Sequence, residues 1–225
     1  MNFHVLTLFP EMIEQACGHS ILRRAIKTGL IKVNCINIRD FALDKHGQVD
    51  DAPYGGGSGM VIMAPPVCAA FNSVARPDSA FIYLSPRGKV FNQAMAVKLA
   101  KEEDIILLCG HYEGIDQRII EILGPKEVSI GDYILTGGEL AALVVIDAVA
   151  RLSPGVVGKN KSVDNESFSD SMKGLLEYPQ YTRPQEFKGF SVPSILLSGH
   201  HAKIEEWRRN QSFERTKIMR PDLIV

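Results

Sequence analysis

The stretch AFIYLSPRGKVFNQAMAVKLAKEEDIILLC, Ala80 to Cys109, decides the fold. It begins and ends in short apolar runs, Ala80 to Leu84 and Ile105 to Cys109, that read as buried strands. Between them Asn92 to Lys101 has helical spacing. The same rhythm extends in both directions. Upstream, Phe3 to Phe9 reads as a strand stopped by Pro10. Ile21 to Lys27 reads as a helix ended by Gly29, Val33 to Ile38 as a period-two strand, and Pro66 to Val74 as a helix. Downstream, Ile115 to Leu123 reads as a helix, Glu127 to Ile130 as a short strand and Glu139 to Leu152 as a long apolar helix. Alternation of this kind predicts an α/β fold, with a parallel sheet covered by helices.

The composition suits such a fold. The 225 residues are 45% hydrophobic and 23% charged, as in an ordinary globular chain. Lys and Arg total 25 and Asp and Glu 26, so the net charge of -1 gives no global signal for nucleic acid and leaves room for a local basic patch. Cys17, Cys35, Cys68 and Cys109 lie far apart, without zinc-ligand spacing, so reduced thiols and no metal site are expected. The longest apolar run, Leu140 to Ile146, is too short for a bilayer span, and the first twelve residues lack a secretory pattern. A cytoplasmic protein without membrane contact is the expectation.

After Leu152 the composition changes. Ser153 to Lys173 is rich in Ser, Gly, Asn, Asp and Lys, which marks a linker. Gly174 to Val225 follows as a small helical region with a helix pattern over Ala202 to Arg209.

Three strand-end segments are rich in glycine and polar groups: YLSPRGKVF (Tyr83 to Phe91), CGHYEGIDQR (Cys109 to Arg118) and SIGDYILTGGELAAL (Ser129 to Leu143). Each alone reads equally as a plain turn. Together, at the carboxyl ends of parallel strands, they point to one ligand crevice. It has no phosphate-loop or GxGxxG signature, so backbone amides and small or aliphatic side chains would form its walls, which suits a flat uncharged ring such as adenine. A fourth segment, PYGGGSGM (Pro53 to Met60), reads as a mobile loop, flanked by the carboxylates Asp50 and Asp51.

These segments, with LTLFPEM, VDDAPYGGGSGM, RLSPGVVG, LEYPQYTRP and LLSGHHAKIEEWR, resemble in order and over nearly the whole chain the bacterial tRNA (guanine-N1)-methyltransferases of the TrmD type, within the SPOUT superfamily. The resemblance implies a trefoil-knotted catalytic domain over residues 1–158, a linker over 159–173 and a C-terminal helical tRNA-binding domain over 174–225. Deep knots are otherwise nearly absent from proteins. It also implies a homodimer, S-adenosyl-L-methionine as cofactor, and the anticodon stem-loop of tRNA as partner. The implied reaction methylates N1 of the guanosine directly 3′ of the anticodon.

Carried over position by position, the cofactor set is Tyr83, Leu84, Ser85 and Pro86; Gly110, Tyr112, Glu113 and Gly114; Ser129, Ile130, Gly131, Asp132, Tyr133, Ile134 and Leu135; and Gly137 and Gly138. Arg151 matches the family arginine before the linker, and Asp50 an acidic residue near the glycine-rich loop. The family places an aspartate base directly before Ser-Phe. Here Glu166 precedes Ser167 and Phe168, and about three extra residues precede Gly174. Glu166 is the preferred general base, Asp170 the alternative and Asp164 a weaker third. The chain also ends soon after Met219-Arg220-Pro221, which implies a shortened C-terminal helix. From His201 to Arg220 six basic residues outnumber three acidic ones, with Trp207 and Phe213 interleaved; the cations suit RNA phosphates, while the aromatics suit either stacking or a small core.

Overall fold

The computed structural model describes residues 1–158 and 165–224; Asp164 lies outside them. The described chain divides into two compact units, Met1–Gly158 and Lys159–Val225.

The first unit contains β1 (Asn2–Thr7), α1 (Pro10–Cys17), α2 (Ser20–Lys27), β2 (Lys32–Asn37), β3 (Asp50–Asp51), β4 (Val61–Ile62), α3 (Ala64–Asn72), β5 (Ala80–Val90), α4 (Gln93–Leu99), β6 (Asp104–Cys109), α5 (Gln117–Leu123), β7 (Lys126–Ser129) and α6 (Glu139–Ala150). Five strands form a parallel sheet in the order β2-β1-β6-β5-β7. Strand residues alternate between two buried layers. Phe3, Val5, Ile105 and Leu107 pack on one side with α1, α4 and α6. Leu6, Ile106 and Leu108 pack on the other with α3 and α5. Burial on both faces explains why β6 reads as an unbroken apolar run.

Three elements differ from the sequence reading. Pro10 opens α1 rather than only ending β1, because the first helical position needs no N–H donor. β5 does not stop at Leu84: after a register shift between Leu84 and Lys89 it pairs again with β7, Lys89 with Val128 and Val90 with Ser129. Gly88 permits this, since a Cβ there would strike the Glu127–Val128 peptide. The last helix is also longer than the expected Ala202 to Arg209.

The second unit contains β8 (Glu186–Phe187), β9 (Phe190–Ser191), α7 (Ser194–Leu197) and α8 (His201–Met219). β8 and β9 form an antiparallel hairpin. The buried face of α8 consists of Ile204, Ser212 and Thr216. Ser212 Oγ donates to the Leu176 carbonyl at 2.5 Å, and Thr216 Oγ1 accepts from the Leu176 amide at 3.0 Å. Two hydroxyls thus fasten residue 176 to the helix.

Candidate functional site

The three segments meet. The carboxyl ends of β6 and β7 and the irregular stretch Tyr83–Arg87 inside β5 open into one hollow of about 390 Å³ in the first unit, so the first segment is a break within a strand rather than a strand end. Of the seventeen residues carried over for the cofactor, all but Asp132 line it; Asp132 is exposed beside it. Arg87, His111, Ile115, Val128, Thr136 and Ala141 also line it, outside the predicted set. All of these but Val128 stand within the quoted motifs, so their position is legible and their part in the lining is not.

Backbone hydrogen bonds hold the loops against each other. The Gly138 amide donates to the Gly110 carbonyl at 2.8 Å, and His111 bridges Gly137. Gly138 has no room for a side chain: a Cβ would lie 2.7 Å from Cys109 Cα. The start of α6 is therefore pressed against the end of β6. Ser129 shapes its own loop, with Oγ donating to the Gly131 carbonyl at 2.9 Å. Glu139, in the first turn of α6, is buried and accepts a 2.7 Å hydrogen bond from Thr7 Oγ1. The positive helix end favours a carboxylate there.

The glycine-rich segment, expected as a mobile loop, is stitched to the same site. The Glu113 amide donates to the Met60 carbonyl at 3.0 Å. The Ile62 amide donates to the Gly114 carbonyl at 3.0 Å, and the Asp116 amide to the Ile62 carbonyl at 2.9 Å. Asp50 lies on β3, paired with Ile62 of β4, and is half-buried. Tyr54, at the loop tip, is fully exposed.

Burial raises the Tyr83 phenol above its usual value despite the Arg87 charge, so it stays protonated. Arg87 Nη2 lies 3.5 Å from Glu127 Oε2. His111 packs between Phe9 and Tyr112, with ring centroids at 5.1 and 4.9 Å, and its Nδ1 is buried without a hydrogen-bond partner. Buried polar atoms are rarely left unpaired, so this orphan marks the wall of the hollow as incomplete.

Asp50 and Arg151, the other predicted residues of the first unit, do not line it. Arg151 follows the last residue of α6 and is half-buried. Glu166 and Asp170 belong to the second unit, in one compact loop. There the Ser169 amide donates to the Glu166 carbonyl at 3.1 Å and the Lys173 amide to the Asp170 carbonyl at 2.9 Å. Glu166 is half-buried, whereas Asp170 is exposed. The loop closes on itself through Phe168, whose amide donates to the Leu175 carbonyl at 2.9 Å, and through Ser167 Oγ, which accepts from the Glu177 amide at 2.9 Å.

Comparison with known proteins gives a consistent picture. A family model described as tRNA (Guanine-1)-methyltransferase TrmD matches residues 1–225. A protein named tRNA (guanine-N(1)-)-methyltransferase from Caldanaerobacter subterraneus is 58% identical over 225 residues, covering 100% of this chain and 92% of its own. Proteins of the same name from Ruminiclostridium cellulolyticum and Clostridioides difficile are 55% and 52% identical, covering 99% of this chain and 96% and 97% of theirs.

Proposed function

The chain belongs to the tRNA (guanine-1)-methyltransferase TrmD family, and on that premise we propose how its residues methylate N1 of a guanosine in tRNA. Our reading is that the target is the guanosine directly 3′ of the anticodon and the donor S-adenosyl-L-methionine. The observation that carries it is the convergence of the three segments on one backbone-lined hollow.

The hollow fits that cofactor in its chemistry. Leu84, Ile130, Leu135 and Ala141 offer apolar walls to an adenine, and the loop backbone offers donors and acceptors to its edge. Glu113 and Arg87 are complementary to the ammonium and carboxylate of an amino-acid moiety. The unpaired His111 Nδ1 awaits a polar partner. When bound, S-adenosylmethionine supplies an activated methyl group on its sulfonium.

The protein then has two tasks. Guanine N1 carries a proton and is a poor nucleophile until it loses it. Glu166 takes that proton as general base, a role worth typically about 10²–10⁴-fold. Arg151 offsets the negative charge that develops on guanine O6. Presenting the base in a single-stranded loop lowers the cost of turning it out of its stack.

The finer architecture is part of the same proposal. A trefoil knot is supported by β5 resuming along β7 and by the return of Gly138 to Gly110. A tRNA-binding role for the second unit is supported by the basic residues of α8. A homodimer is supported by the exposure of the apolar Leu140 and Val144, one turn apart on α6, most of whose other residues are buried. Among the described residues no helix is long and apolar enough to cross a membrane, which accords with a cytoplasmic enzyme.

Methyl transfer to unmodified tRNA transcripts tests the target. Replacing the guanosine after the anticodon with adenosine is expected to abolish labelling from methyl-labelled S-adenosylmethionine. Undiminished labelling of the adenosine transcript would refute the proposed position.

A further inference from the structure

We infer that the second unit carries a nucleotide subsite of its own: a hollow against Trp207 that takes one unpaired base of the tRNA together with its phosphate. The inference rests on the tRNA reading above and deepens it, because it concerns a base other than the methylated one.

The hollow measures about 530 Å³, within the usual range for small-ligand sites, and lies wholly within residues 178–208. Its walls combine aromatic faces with cations. Tyr178, Tyr181 and Trp207 supply the rings, and Arg183, His201 and Arg208 the basic groups. No Asp or Glu lines it. This donor set disfavours a cationic ligand, and a purely apolar ligand would leave the cations unused.

The rings are available rather than spent on each other. Tyr181 and Trp207 have centroids 6.4 Å apart at 53°, an open V instead of a closed stack, and Tyr181 is 48% exposed. Arg208 is fixed in place. Its guanidinium lies 4.8 Å over the Tyr178 ring, and Nη1 donates to Glu205 Oε1 at 2.6 Å. Its Nε is buried without a partner, an incomplete site in the sense of His111 above.

Flat faces beside fixed cations, in a concavity, match a nucleobase with its phosphate. Duplex RNA would engage the cations alone, since its bases are stacked inside. The recess therefore selects a base already out of the helix, as tRNA loops present. An enzyme so built holds its substrate at two points, the target guanosine and this second base.

Trp207 is the single tryptophan, so its emission reports on the hollow directly. The test titrates the full-length protein with unmodified tRNA and measures steady-state methyl transfer in parallel. Trp207 emission is expected to be quenched on binding. Tyr181→Ala is expected to raise the KM for tRNA roughly 5- to 150-fold, the range of one lost base stack, with the effect on KM rather than kcat. Tyr181→Phe, which keeps the ring, should restore it. If Tyr181→Ala fails to fold, the exposed Arg183→Gln decides, with an expected loss of about one unit from the salt slope of tRNA binding.

Wild-type protein that methylates tRNA with unmoved Trp207 emission, unchanged KM in Tyr181→Ala and an unchanged slope in Arg183→Gln would overturn the subsite and leave the methyltransferase reading intact. A fall in kcat alone would make the aromatic cluster merely structural and equally overturn it. Wild-type protein that transfers no methyl group to tRNA would overturn both.

Discussion

We propose Glu166 in the place of the family's aspartate base, with Asp170 four residues on in the same loop as the alternative. Glu166 is half-buried and Asp170 exposed. Glu166→Gln is therefore expected to slow single-turnover transfer by about 10²–10⁴-fold, and Asp170→Asn by less than about tenfold. The opposite order would move the role to Asp170. A second carboxylate shows how far a residue's role escapes its local sequence. Asp104, at the start of β6, is buried and accepts hydrogen bonds from Asn2 at 2.9 Å and Arg76 at 3.1 Å, with His4 Nε2 at 3.2 Å. Burial alone would raise its carboxyl, but the hydrogen bonds from Asn2 and His4 and the Arg76 charge outweigh it and hold the group below its ordinary value of 3.8. The folded value lies below the unfolded one, so this stabilisation is present above about pH 3.8 and lost as pH falls through the folded value. Urea unfolding at neutral pH and near pH 3 should show a steeper acid loss in wild type than in Asp104→Asn; equal losses would contradict it. Nothing in the run Glu103-Asp104-Ile105 announces this, because its partners come from 28 to 102 residues away.

At the scale of elements, periodicity located the strands and helices of the first unit well, because two-sided burial gives strands continuous apolar runs. It failed where packing does not use apolar residues. α8 reaches Met219 rather than Arg209 because its lower buried face is Ser212 and Thr216, which bury hydroxyls paired to residue 176 and leave no hydrophobic stripe to read. The extension of β5 past Pro86 was equally hidden, since it depends on Gly88 passing tight against β7. Loop closure over the hollow rests on Gly138 in the same way. Gly138→Ala must push α6 away from β6, at a cost of about 1–3 kcal/mol. Calorimetric titration is expected to show S-adenosylmethionine affinity reduced along with the denaturation midpoint. Wild-type affinity in a stably folded Gly138→Ala protein would contradict the close packing of these loops as the basis of the site.

For the whole molecule, the composition changes after Leu152, and the chain divides into two compact units at Gly158. The convergence of three glycine-bearing segments was also legible, although the first lies within β5 rather than after it. That the glycine-rich segment joins them was not, because its link is made of main-chain hydrogen bonds that carry no side-chain signature. The homodimer we propose rests on exposure rather than on a sequence pattern. Leu140 is 50% and Val144 47% exposed on α6. Leu140→Glu is expected to halve the mass measured by light scattering, and a mass unchanged from wild type would remove α6 from the interface. The central claim is that this chain methylates guanine N1 in tRNA. The most direct measurement digests tRNA after reaction with methyl-labelled S-adenosylmethionine and identifies the labelled nucleoside by mass spectrometry. 1-Methylguanosine is the expected labelled product. Label on another atom of guanosine, or on another nucleoside, would contradict it.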